Sequence, residues 1–183
     1  MAAILLLHSA LGLRPAVVDF AERLRELGHV VEAPDYYEGR VFDDEGSGIA
    51  HRDAHPEYFE RVRALASRLP ADTALAGFSL GAWFAQRLAA GRPHAAAAIL
   101  MHSAAPARGA WPGVPVQVHR RAVDPWIDPS DVASLGAAVR ASGAAFEDHV
   151  SPGRGHLFTD LGGPDADSLT TASTLTRIDA FLR

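Results

Sequence analysis

One short segment of this chain has the residue types and spacing of a nucleophile: Gly77-Phe78-Ser79-Leu80-Gly81. It follows the apolar run Thr73-Ala74-Leu75-Ala76 and opens an Ala-rich stretch through Trp83, Phe84 and Leu88. A serine held on a sharp strand-to-helix turn is forced into a strained backbone conformation, and glycine on either side leaves room for the chain to pass. The hydroxyl then stands above the strand ends, at the positive end of the new helix. Such a serine can attack an acyl carbon, provided that a base takes its proton and an acid orients the base.

Both partners follow in chain order. After the strand-like Val116-Gln117-Val118-His119 comes Arg120-Arg121-Ala122-Val123-Asp124, and near the C-terminus lies Pro152-Gly153-Arg154-Gly155-His156. The order Ser79, Asp124, His156 is the one produced by a doubly wound sheet that carries a nucleophile elbow. Asp128 is a competing acid, placed further into the same loop. The developing oxyanion needs two N–H donors. Leu80, directly after the nucleophile, supplies one, and Ala10, in the turn His8-Ser9-Ala10-Leu11-Gly12 after the first strand, is assigned the other.

The rest of the chain has to position these groups. It has 183 residues, the size of one domain spanning 1–183, with 48% apolar and 21% charged residues, enough to bury a sizeable core. All 17 basic residues are Arg, and 22 acids leave a formal charge of -5, which gives nucleic acid no reason to bind. Lys, Cys and Asn are absent. Schiff-base chemistry, a GxxxxGK[ST] phosphate loop, a thiol nucleophile and thiolate metal sites are thereby excluded, and any covalent catalysis must use another residue type. Joint absence of Lys and Asn points to a GC-rich bacterial genome. The apolar start Ala2 to Leu7 is too short to span a bilayer and lacks a basic lead, so a cytoplasmic location with no membrane partner is expected.

Apolar runs of strand length recur at Ala2–His8, His29–Ala33, Thr73–Phe78, Ala95–His102, Val114–His119 and Ala145–Val150. Several lack period-two alternation, as in strands covered on both faces. Helical spacing links Val17, Phe20, Leu24 and Leu27, then Val62, Leu65 and Leu69, then Val132, Leu135 and Val139, then Leu175, Ile178 and Leu182. Pro15 suits the first turn of one helix, Gly28 its left-handed stop, and Ser130 with Asp131 the cap of another. The alternation predicts an α/β fold: a mostly parallel sheet of about six strands with helices on both faces, and function beyond the carboxyl ends of the strands. Residues 34–56 read as the longest irregular stretch and a wall of the site.

The segments Leu7 to Leu13, Ala33-Pro34-Asp35-Tyr36-Tyr37-Glu38-Gly39-Arg40, Gly77 to Gly81, Asp124 and Gly155-His156-Leu157-Phe158 resemble the dienelactone hydrolase family of α/β-hydrolases over nearly the whole chain. The resemblance implies a minimal α/β-hydrolase without a lid domain, a nucleophile-His-Asp triad, and hydrolysis of small esters or lactones without a cofactor. Three positions depart from the family pattern: Ser79 where the founding enzymes carry Cys, Ser9 where they place a Glu, and Asp160 where they place an Arg that binds a substrate carboxylate. An acid at Asp160 would repel such a carboxylate.

The resulting expectation is a serine hydrolase acting on a small, uncharged or weakly charged ester or lactone. Thioesterase or acyltransferase chemistry uses the same residues, and a ligand-binding protein on the same scaffold is the rival without catalysis. His51 and His55 have the spacing of a metal pair, yet no third ligand accompanies them, and no metal or cofactor is expected. His8, His102 and His119 read as structural, with His8 and His102 within reach of the site. Of Tyr36, Tyr37, Trp83, Trp111 and Trp126, at most two are expected to touch substrate. Self-association is left open.

Overall fold

The computed structural model describes residues 1–183. Six strands, β1 (Ala3–Leu7), β2 (Val30–Glu32), β3 (Ala74–Phe78), β4 (Ala98–Met101), β5 (Val116–Val123) and β6 (Phe146–Arg154), form one sheet in the order β2-β1-β3-β4-β5-β6. Every pairing is parallel, so the sheet is wholly rather than mostly parallel. The connecting helices are α1 (Pro15–Glu26), α2 (Glu45–Ala54), α3 (Tyr58–Ala66), α4 (Leu80–Ala89), α5 (Pro129–Ala141) and α6 (Ser168–Phe181).

Strand alternation divides the core in two. Leu5, Leu7, Leu75, Leu100, Val116 and Val118 face α3, α4 and α5, where they meet Val62, Phe84, Leu88, Val132, Leu135 and Val139. Ile4, Leu6, Ala76, Phe78, Ile99 and Met101 face the other way, onto Val17, Phe20 and Leu24 of α1 and Leu175 and Ile178 of α6. Leu5, Leu6 and Leu7 are fully buried because both faces are covered, which explains a run of apolar residues with no alternation. Each such side chain contributes about 2 kcal/mol by leaving water.

Local chemistry sets the element ends. Pro15 occupies the first turn of α1, and Gly28 follows its end in the left-handed region at φ 93°. The cap of α5 is Asp128, not Ser130 or Asp131: its carboxylate accepts from the Ser130 N–H at 2.8 Å, with Pro129 in the first turn. The stretch expected to be irregular over 34–56 contains α2, capped by Asp44, which accepts from the Ser47 N–H at 2.8 Å. Between β4 and β5, residues 102–115 cross without regular structure. Gln86 holds this crossing at both ends of one peptide-like contact, donating to the Ala105 carbonyl at 2.6 Å and accepting from its N–H at 3.0 Å.

Candidate active site

Ser79 sits between β3 and α4 with φ 51° and ψ -109°, a conformation that costs about 1–3 kcal/mol for a residue with a Cβ. The turn is possible because its two glycines let backbone pass backbone. A Cβ on Gly77 would lie 2.3 Å from the Gly81 carbonyl carbon, and one on Gly81 would lie 2.3 Å from the Leu7 oxygen. The strained turn is anchored by the Ser79 N–H, which donates to the Met101 carbonyl at 2.8 Å.

The carboxyl ends of β3, β5 and β6 bring the three residues singled out in the sequence together. His156 Nε2 lies 2.9 Å from Ser79 Oγ, and His156 Nδ1 lies 2.8 and 2.9 Å from the two Asp124 oxygens. A carboxylate only accepts, so Nδ1 carries the proton and Nε2 is left to accept from the serine hydroxyl. The Asp124 and His156 side chains are 1% and 4% exposed, which shields the pair from water. Asp124 also accepts from the Trp126 N–H at 2.9 Å. Asp128, the competing acid, is engaged in capping α5 and makes no contact with His156.

Ala10 and Leu80 both line the cleft beside Ser79. As the first residue of α4, Leu80 has an N–H without an intrahelical partner, and the Ala10 N–H donates to no protein group. The Ala10 peptide is held from behind by α2, whose Gly48 lies so close that a Cβ there would stand 2.3 Å from the Ala10 oxygen. A hydroxyl, a base and two free donors converging on one cleft can perform acyl transfer through a tetrahedral oxyanion.

The loop bearing His156 is pinned by residues remote in sequence. Its N–H donates to Asp165 Oδ2 at 2.8 Å. Arg121, buried, pairs with Asp167 at 2.7 Å, donates to the Pro152 carbonyl and stacks over Phe158 at 4.9 Å. His102 lies in the left-handed region at φ 65°, with Nε2 2.8 Å from Thr159 Oγ1 and its ring edge-on to Phe158 at 4.4 Å. Burial drives its pKa well below the ordinary value, so it stands neutral beside His156.

His8 is not in the cleft. It stacks on Tyr36 at 3.6 Å, and burial lowers its pKa to about 4 despite Asp35 at 3.8 Å. His119 is likewise buried and pushed down to about 3, with Nε2 2.8 Å from Gln117 Oε1. Tyr36 and Tyr37 are core residues, and Trp111 is buried with its indole N–H on the Val114 carbonyl. Trp83 and Trp126 line the cleft, which has a volume of about 170 Å³. Its far wall is one face of α2, Glu45, Ile49 and Arg52, residues missed in the sequence because 34–56 reads as loop. The aspartate cap at Asp44 was the available signal. His51 and His55 are engaged by the Tyr58 hydroxyl at 2.8 Å and by Glu57 at 2.9 Å, and no group of three or more His, Asp or Glu is placed to hold a metal. No helix is long and apolar enough to cross a membrane.

A six-stranded parallel sheet wound on both sides, with a serine elbow at its carboxyl edge, is the architecture of an α/β-hydrolase. The model of the dienelactone hydrolase family matches residues 1–183, and the chain belongs to that family. Among solved structures, a dienelactone hydrolase-like promiscuous phosphotriesterase from metagenomic libraries superposes with TM-score 0.81 at 20% identity, covering 100% of this chain and 85% of the other. Esterase 2 of Thermogutta terrifontis, phosphoramylated by tabun, gives 0.66 at 21% identity, covering 99% and 82%. A protein of Xanthomonas campestris pv. campestris assigned to the α/β hydrolase superfamily gives 0.62 at 19% identity, covering 98% and 99%. These likenesses show the fold. No curated protein sequence matches the chain. Family membership makes hydrolysis of a small molecule its reaction class.

Proposed function

We propose that the protein is a serine esterase that cleaves small carboxylic esters or lactones. The observation that carries this reading is the unbroken hydrogen-bonded series Asp124, His156, Ser79, ending in a cleft beside two free N–H groups. Ser79 Oγ attacks the carbonyl carbon as its proton passes to His156 Nε2, and the oxyanion forms toward the N–H groups of Ala10 and Leu80. The C–O bond to the alcohol then breaks, and His156 returns the proton to the departing oxygen. Water, deprotonated by His156, attacks the acyl-serine, and the acid leaves as Ser79 recovers its proton. Asp124 stabilises the imidazolium formed in each half. No step requires a metal or cofactor.

The test is hydrolysis of p-nitrophenyl acetate, butyrate and octanoate by the wild type and by Ser79→Ala, with intact mass after exposure to a fluorophosphonate. An organophosphorus reagent suits the purpose, since the Thermogutta esterase 2 structure is of a phosphoramylated enzyme. Turnover and a single phosphonate adduct in the wild type, both lost in Ser79→Ala, are expected. Equal rates in the two proteins would refute the assignment of Ser79. Ligand binding without turnover or adduct would favour the scaffold protein over the enzyme.

A further inference from the structure

The cleft does not end at the nucleophile. Trp83 and Arg87 lie four residues apart on one face of α4, successive turns beyond the Ser79 elbow. The Arg87 guanidinium lies over the Phe59 ring at 3.7 Å and over Trp83 at 4.6 Å. A second cavity of about 300 Å³, lined by Phe59, Trp83, Phe84, Arg52 and Arg87 and also by Asp53 and His55, adjoins the nucleophile cleft through Trp83 and Arg52, which line both. The lining is therefore largely aromatic, and with Arg52 paired to Asp53, Arg87 is its one arginine without a carboxylate partner.

Arg87 is held in place without being neutralised. No carboxylate lies within salt-bridge distance of it, and none of its N–H groups is used in a hydrogen bond to the protein. Glu60, the acid nearest in effect, is paired with Arg63. Arg52 differs, because its Nε lies 2.6 Å from Asp53 Oδ1. A planar cation, stacked on two rings with free donors, is built to bind a carboxylate or similar oxyanion. The opposite end of the cleft has the reverse charge. There a cavity sharing Leu11, Glu45 and Leu157 with the nucleophile cleft is lined by Asp43, Asp44, Glu45, Asp160 and Asp165, against Arg14 alone. Arg14 is already paired with Asp160 at 2.9 Å. An anion on the substrate is repelled from that end and drawn to the Arg87 end.

Direction follows from the proton path. The leaving oxygen must face His156, whose neighbour Leu157 borders the acidic end, so the acyl half runs the other way, along Trp83 toward Arg87. Eight residues of helix separate Arg87 from Ser79, about 12 Å between Cα atoms, and a helical side chain leans back toward the N-terminus, which places the cation about 8–12 Å from the reacting carbonyl. We propose that Arg87 is a specificity-determining residue that binds a terminal carboxylate on the acyl chain, so that the preferred substrates are half-esters of medium-length dicarboxylic acids. The proposal rests on the esterase reading of Ser79.

The experiment compares p-nitrophenyl hydrogen suberate with p-nitrophenyl octanoate, equal in acyl length and different only in the terminal charge. The suberate to octanoate ratio of kcat/KM is expected to exceed one in the wild type, to fall about fivefold in Arg87→Gln, the size of one partly screened charge pair, and to be largely restored in Arg87→Lys. It should also shrink as ionic strength rises from about 20 to about 500 mM. Arg68→Gln, a surface charge remote from the cleft, serves as the control for general electrostatics. A wild-type ratio at or below one, or an equal ratio in wild type and Arg87→Gln, overturns the proposal while leaving the esterase intact. A preference found only when the carboxylate is moved to the alcohol half overturns the assigned direction. Failure of wild type to hydrolyse any ester overturns the esterase reading and this proposal with it.

Discussion

Replacing Gly81 by alanine sets two known effects against each other, and the geometry decides between them. Gly81 is inside α4 and has an ordinary backbone conformation, so helix propensity alone favours alanine by about 1 kcal/mol. The new Cβ, however, would meet the Leu7 oxygen at 2.3 Å, the His8 oxygen at 2.5 Å and the Leu7 carbonyl carbon at 2.6 Å. All three atoms are backbone of β1 or its exit, and β1 is hydrogen-bonded to β2 on one side and β3 on the other. Overpacking costs about 1–3 kcal/mol where side chains can yield, and here none is available to do so. A net loss of at least about 2 kcal/mol is expected, read as a lower urea midpoint and a melting temperature lower by about 4–8 °C. The same displacement separates Leu80, on α4, from Ala10, just beyond β1. On the proposed mechanism, a shift of about 1 Å between these two N–H groups should lower hydrolytic turnover by about 100-fold in the protein that remains folded. Gly136→Ala in α5 is the comparison, because the atoms nearest its Cβ belong to the side chains of Phe146 and Arg140, which can yield, and a smaller net loss of about 0–2 kcal/mol is expected there. If Gly81→Ala unfolds within about 0.5 kcal/mol of wild type and keeps its activity, the argument that backbone contact locks the elbow is wrong.

Asp124→Asn should keep the fold and lower kcat by about 10³–10⁴, since the amide no longer selects the Nδ1–H tautomer, whereas Asp128→Asn should leave kcat near wild type; similar losses in both variants would contradict the separation of orienting acid from helix cap. Acid lability should begin near pH 6. His8 and His119 are buried and neutral, with pKa values lowered to about 4 and about 3, while in the unfolded chain both return to about 6.5. Below about pH 6.5 the unfolded state therefore binds more protons, so stability falls as pH falls, by about 2 kcal/mol for each histidine at about pH 5. Urea titrations at several pH values measure this slope, and a flat stability between about pH 5 and 7 would show that these imidazoles are not buried in neutral form.

The sheet was legible because its strands are short apolar runs separated by helical periodicity, and parallel pairing leaves that pattern little choice. Strand ends were less so. Residues beyond Val150 join β6 although Pro152 and Gly153 lie among them, which an edge strand tolerates because one side of its ladder is unpaired. Helix α2 was hidden for a different reason. Gly46, Ser47 and Gly48 form helix poorly in isolation, and the segment is helical because Asp44 caps it and Gly48 fits against the Ala10 peptide, a tertiary contact with no local signature. The elbow could be read from five residues and their flanks. Asp124 was preferred to Asp128 on chain position alone, and the occupation of Asp128 as the cap of α5 has a local signature in Asp128-Pro129-Ser130. Nothing in the local sequence around His102 marks it as left-handed. The residue is held by contacts remote in sequence, its ring by Thr159, 57 residues away, and by Phe158, and its N–H by the His119 carbonyl at 2.9 Å.

The three groups of the candidate site hang from β3, β5 and β6, and 77 residues separate Ser79 from His156. During synthesis the elbow emerges long before its base, and β5 cannot complete its own pairing until β6 arrives from the last fifth of the chain. Hydroxyl and imidazole meet only when the sheet is full and α6 has closed over its far face. On the proposed reading a growing or half-folded chain carries an unactivated serine, and the onset of hydrolase activity after dilution from denaturant should coincide with the slowest step of folding.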